Sequence, residues 1–133
     1  LDLAVPLHPR GREALRAAGL DGAPGVHLLE PLGYVEFMSL VRGAAAVITD
    51  SGGVQEETTV LGVPCLTLRT TTERPVTVTH GTNRLVTHDE LVPALSKALD
   101  GGAAMPTEGP PLWDGKAGTR IARVVTQWLD HHG

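Results

Sequence analysis

Short apolar runs alternate along this chain with longer stretches in which apolar and polar residues recur at helical spacing, and Gly or Pro punctuates most junctions. Runs of this length, mostly apolar throughout, suit strands covered on both faces. Leu3–Leu7, Val26–Leu29, Ala45–Thr49, Cys65–Leu68 and Arg84–Val86 are therefore expected as strands. Arg10–Ala18, Tyr34–Arg42, Gly53–Leu61 and Asp89–Leu99 read as helices, the first and third followed by Gly19 and Gly62 in positions that suit a left-handed C-cap. The resulting order, β, α, β, α, β, α, β, loop, β, α, predicts an α/β fold: a Rossmann-like parallel sheet with helices on both faces. Gly and Pro concentrate between Gly101 and Gly118, which predicts an irregular connection that Trp113 pins to the body. Beyond it, Ile121, Val124, Val125, Trp128 and Leu129 recur at i, i+3, i+4, i+7 and i+8. A last helix over Thr119–Asp130 is expected, docked by that face onto its own domain.

Composition narrows the function classes. A chain of 133 residues, 41% of them hydrophobic, suits one domain over residues 1–133. Its 15 acidic residues outnumber 11 basic ones, for a net charge of -4. No basic block offers a surface for nucleic acid or an anionic membrane, so an anionic ligand must be held by local geometry. No apolar run has the length of a membrane-spanning helix, and the N-terminus lacks a signal-peptide pattern, which sets a cytoplasmic expectation. The chain opens on the apolar LDLAVPL without a methionine, and further sequence is expected upstream. Cys65, the one cysteine, lies in the apolar VPCLTL and reads as a small hydrophobe. His131 and His132 read as a frayed tail, since a terminal pair without other ligands in register makes a poor metal site.

Two stretches carry candidate chemistry. In AAAVITDSGGVQEETTVLGVP, residues 44–64, a strand leads through a turn at Asp50–Gly53 into a helix, the place where ligands of open parallel sheets bind. Gly52 and Gly53 remove Cβ atoms where a ligand must approach, and the first N–H groups of the helix point outward at its positive end. A diphosphate suits such an end. Ser51 can add its hydroxyl to the cradle or cap the helix. Glu56 and Glu57 read on position alone as carboxylates favoured by the helix dipole. The spacing is neither GxGxxG nor a P-loop. In the second stretch, LRTTTERPVTVTHGTNRLV from Leu68 to Val86, Arg74 either neutralises phosphate or pairs with its neighbour Glu73 on the surface.

Together DSGGVQEE, TTERP and HGTNRLV resemble the C-terminal domain of non-hydrolysing UDP-N-acetylglucosamine 2-epimerases, most strongly from Tyr34 to Val86. The resemblance implies the C-terminal half of a GT-B type two-domain fold, the same architecture as one large glycosyltransferase class. It implies interconversion of UDP-N-acetylglucosamine and UDP-N-acetylmannosamine by UDP elimination and re-addition, with no cofactor and no metal. Ser51, Gly52 and Gly53 then match the diphosphate turn, Glu57 the carboxylate on the ribose hydroxyls, and Arg74 the phosphate arginine. Phe37 in GYVEF and the backbone near Leu32 match the uracil region, Phe37 being equally a core residue on pattern alone. Val76 stands where the family has the last glutamate of TTERPE, Thr58 and Thr59 replace its usual small residues or proline, and PLHPRGRE departs from its His-x-Asn-Pro pattern around His8. The resemblance places the catalytic acids and an HRREN-like segment in an N-terminal domain, and no such segment occurs in this sequence. The implied partners are UDP or UDP-N-acetylglucosamine, that N-terminal domain and, at full length, a second copy. The alternatives are the C-terminal domain of a GT-B glycosyltransferase, a hydrolysing 2-epimerase, or a nucleotide-binding module without chemistry.

Overall fold

The computed structural model describes residues 1–7, 9–101 and 109–132, with no side-chain description for Pro9 and Arg10. His8 and most of the Gly- and Pro-rich connection lie outside the described residues. The chain divides into two compact units, Leu1–Gly43 and Ala44–Gly133.

In the first unit, strands β1 (Leu3–Pro6) and β2 (Val26–Leu29) pair in parallel, Leu3 opposite Val26. Helix α1 (Pro9–Ala17) forms the crossover between them, and α2 (Tyr34–Gly43) follows β2. Gly19, with φ +74°, ends α1 as its position suggested: its N–H donates to the Arg16 carbonyl and that of Leu20 to Leu15.

The second unit repeats the alternation around a three-stranded parallel sheet in the order β3 (Val47–Thr49), β4 (Cys65–Thr67), β5 (Asn83–Leu85). Helix α3 (Gly52–Leu61) connects the first pair and stops at Gly62, φ +73°, where the Val63 N–H reaches back to the Thr58 carbonyl. Leu66, Val86 and Ala94 form the apolar core, the last contributed by α5 (His88–Leu99). The start of α5 is fixed by Glu90, whose carboxylate accepts from both the N–H and the hydroxyl of Thr87.

Strands and helices thus follow the expected alternation, with these differences. The ladders form two sheets, β1–β2 and β3–β4–β5, and among the described residues no ladder joins them. A short helix, α4 (Pro75–Thr79), occupies what the sequence suggested was loop; Pro75 supplies the preset φ of a first helical position, while its Val and Thr residues hide the helix from propensity. The last helix, α6 (Ala117–His132), forms as expected but its apolar face is not docked: Ile121 is 62% and Trp128 58% exposed. Amphipathic spacing identifies a face without saying what covers it. Trp113 is 40% exposed. The terminal histidines are not frayed, because His131 and His132 bond through Nδ1 to the carbonyls of Gln127 and Trp128, and His132 stacks on Trp128. Among the described residues no helix is long and apolar enough to cross a membrane.

Candidate functional site

The interior of the second unit is polar where aliphatic residues would be ordinary. Gln55, Thr58, Thr67 and Thr77 are fully buried and Asn83 nearly so. Buried polar groups are tolerated when each finds its partner, and here they do. The Gln55 carboxamide oxygen accepts from the Thr72 hydroxyl at 2.6 Å and from Asn83 Nδ2 at 3.0 Å. Asn83 also donates to the Thr77 hydroxyl and accepts from that of Thr67. Thr58 turns its hydroxyl back to the Val54 carbonyl within α3.

Above this layer lie the five candidates of the second unit. Ser51 has the extended backbone of an N-cap residue, φ -83° and ψ 131°, but its hydroxyl makes no capping bond. Of the two roles open to it, helix capping is therefore not the one it performs, and the exposed hydroxyl sits beside the outward N–H groups of the first turn. The turn itself is braced from both sides: the Ser51 N–H donates to Thr49 Oγ1, and Gln55 Nε2 donates to the Ser51 carbonyl. Gly52 and Gly53 both fall in the first turn of α3, one residue earlier than the expected start. A Cβ at Gly53 would meet nothing within 4 Å, so this face is open; one at Gly52 would meet only the Glu73 carboxylate, at 4.0 Å. That distance brings the TTERP loop to the positive end of α3. Glu57 lies one turn into the same helix, half-buried and without an ion pair or hydrogen bond to any described residue.

Arg74 belongs to that loop, and its partner differs from the neighbour that sequence adjacency suggested. Its Nε lies 2.9 Å from Glu56 Oε1, both side chains 41% exposed. The pair is ionic and not a well-aligned hydrogen bond, for the buried Nε has no hydrogen-bond partner. Glu73 instead pairs with Arg69, i and i+4 along the chain. Its own backbone N–H, then the Arg69 and Arg74 guanidiniums, hold its carboxyl below the usual range. Glu56, which position alone marked as a dipole-favoured carboxylate, is thus the group that grips the Arg74 head.

Leu32 and Phe37 belong to the first unit, where both are half-buried at the start of α2. The Phe37 N–H donates to the Gly33 carbonyl, while the Glu36 carboxylate accepts the Gly33 N–H. In the second unit Ser51, Gly52 and Gly53 thus lie at the start of α3 with the TTERP loop beside them, Arg74 of that loop meets Glu56, and Glu57 sits midway along the helix; in the first, Leu32 precedes α2 and Phe37 lies in its first turn. Sequence reasoning missed Gln55, Thr72, Thr77 and Asn83. Polar residues flanking a ligand motif were the available signal, but their shared interior becomes visible only in three dimensions.

This arrangement, an open helix start with a cation and a carboxylate beside it, suits a ligand that joins phosphates to a hydroxylated sugar. The family model for UDP-N-acetylglucosamine 2-epimerase matches residues 1–126. The UDP-N-acetylglucosamine 2-epimerase of Methanocaldococcus jannaschii is 40% identical over 126 residues, which cover 90% of this chain and 34% of that protein. The crystal structure of the M. jannaschii enzyme in complex with UDP-GlcNAc and UDP superposes with a TM-score of 0.77 at 38% identity, covering 95% of this chain and 36% of that one. A UDP-bound S. aureus structure matches with a TM-score of 0.82 at 31% identity, covering 98% and 36%. This chain spans about a third of the length of these relatives. Over its own length it belongs to the UDP-N-acetylglucosamine 2-epimerase family.

Proposed function

We propose that this chain is the UDP-binding, C-terminal part of an enzyme that interconverts UDP-N-acetylglucosamine and UDP-N-acetylmannosamine. The observation that carries the reading is the open start of α3 at Ser51–Gly53 with the TTERP loop beside it, whose Arg74 meets Glu56 of the same helix. In the reaction the sugar loses its C2 proton while the C1–O bond to UDP breaks, leaving a glycal. UDP then adds back at C1, and a proton is delivered to C2 from the opposite face.

The work of this part is to stabilise UDP as it leaves and to keep it in place for return, which is electrostatic and proximity catalysis. The N–H groups at Gly52 and Gly53, the Ser51 hydroxyl and the Arg74 guanidinium take the diphosphate. Glu57 accepts hydrogen bonds from the two ribose hydroxyls, and the Leu32–Phe37 turn meets the uracil. The sequence match of the relatives, two of them solved with UDP, supports these roles. The groups that move the C2 proton belong to an N-terminal domain, the full protein works as a homodimer, and its setting is the cytoplasm.

Product analysis tests the division of labour. Incubated with UDP-N-acetylglucosamine, the purified chain is expected to bind but to form no UDP-N-acetylmannosamine. Turnover by this chain alone would overturn the assignment of proton transfer to another domain. Release of free N-acetylmannosamine by the full-length protein would favour a hydrolysing enzyme.

A further inference from the structure

We propose that Gln55 and Asn83 are positioning residues for the anion site: buried beneath it, they set the backbone of Arg74 and the Ser51 turn in one fixed geometry. The proposal deepens the UDP-binding reading and rests on it for the identity of the ligand.

Arg74 is held through its backbone. Its N–H donates to Thr72 Oγ1 at 3.0 Å and its carbonyl accepts from Thr77 Oγ1 at 2.7 Å, so two hydroxyls clasp one residue on both sides. Neither hydroxyl is free to turn. Thr72 spends its proton on the Gln55 oxygen, and Thr77, having donated to Arg74, accepts from Asn83 Nδ2. Gln55 and Asn83 are themselves joined, Nδ2 to Oε1, and the remaining donor of Gln55 reaches the Ser51 carbonyl. One side chain thus connects the turn that faces the ligand to the loop that carries the cation. The elements involved, α3, β5 and the loop between β4 and α4, share no other side-chain hydrogen bond among the described residues.

Directionality distinguishes this arrangement from ordinary packing. A buried hydrogen bond contributes modest net stability, while apolar side chains of similar size would fill the same space without needing partners. What an apolar core cannot supply is a defined orientation for a loop backbone. A network in which each buried polar side chain has found a partner does supply it, because in the low-dielectric interior any slip leaves a polar group unpaired. A guanidinium meeting phosphate oxygens in directed pairs is sensitive to displacements of this order.

The test uses the chain as it stands, with UDP as probe, in a double-mutant cycle. Asn83→Leu is expected to weaken UDP binding about tenfold in the wild-type background and to have a markedly smaller effect in the Arg74→Ala background. Thr77→Val should follow Asn83→Leu, and Thr77→Ser, which keeps the hydroxyl, should retain wild-type affinity. Equal losses in both backgrounds would mark the network as scaffold only and overturn the proposal. Backbone amide exchange supplies a readout independent of ligand. In Asn83→Leu, exchange at Arg74 and Thr77 should accelerate about tenfold relative to the Leu68 and Val86 amides of the sheet. Unchanged exchange in the loop would also overturn it. If the wild-type chain shows no UDP binding, the functional reading fails while the exchange result still decides whether these amides hold Arg74.

Discussion

Replacing Gly81 by alanine should destabilise the second unit by about 2 kcal/mol. Gly81 lies between α4 and β5, and the space its missing side chain leaves is already filled. A Cβ there would stand 2.5 Å from the Thr77 carbonyl oxygen, 2.5 Å from Thr59 Oγ1 and 2.7 Å from Thr59 Cγ2. Ordinary contact begins near 3.5 Å, so the chain must yield by about 1 Å. Three contacts this close put the overpacking cost at the upper end of the usual range, about 3 kcal/mol, and a gain of roughly 0.4–1 kcal/mol from stiffening the unfolded chain brings the net to about 2 kcal/mol. The Thr59 side chain cannot simply swing away, since its hydroxyl donates to the Gln55 carbonyl at 2.8 Å. For a chain of this size the net cost corresponds to a fall in melting temperature of roughly 6–10 °C, readable by circular dichroism. Thr59→Ala should recover part of that loss when combined with Gly81→Ala, because it removes two of the three contacts and leaves the carbonyl. Gly43→Ala, where the new Cβ meets nothing within 4 Å, serves as the control and should not destabilise. A Gly81→Ala protein melting within 2 °C of wild type would refute the reasoning.

Further outcomes follow from the titrating groups. Burial pushes the Cys65 thiol up, so it stays protonated and out of reach at neutral pH, and alkylation followed by mass spectrometry should be at least about a hundredfold slower in the folded chain than in denaturant. Labelling at the denatured rate would place Cys65 at the surface. The Thr87 backbone N–H and hydroxyl lower the Glu90 carboxyl, which means that its ionised form favours folding. That contribution is present above the ordinary glutamate value and is lost as pH falls through the lowered one. Melting temperature should therefore decline on acidification in that range, and less steeply in Glu90→Gln; identical slopes would remove Glu90 from the account.

Period and punctuation were enough to place ten of the eleven elements among the described residues to within a few positions, because they rest on local chemistry: apolar runs between Gly and Pro, and glycines suited to positive φ. The exception, α4, is short and rich in β-branched residues, and only Pro75 betrays it. The open helix start at Ser51–Gly53 was legible for a related reason, since it depends on a strand-turn-helix order written directly in the chain. Partnerships were not legible. Arg74 meets Glu56 across a helix start instead of Glu73 beside it, and Gln55 meets Asn83 from 28 positions away. Side chains one residue apart diverge, whereas those brought together by the fold do not announce themselves in spacing. The α6 face shows the converse limit: its periodicity was correct and its assumed resting place was not.

The central claim is that the start of α3 and the TTERP loop together hold UDP. Calorimetric titration of UDP into the wild-type chain, Arg74→Ala and Glu57→Ala tests it most directly. Loss of a directed phosphate contact or of the ribose acceptor should cost about 1.5–3 kcal/mol, a weakening of roughly tenfold to a hundredfold, with both variants melting like wild type. Binding by the wild-type chain that both substitutions weaken to this extent is the predicted result. A folded wild-type chain that takes up no UDP, or variants that bind as tightly as it does, would contradict the account.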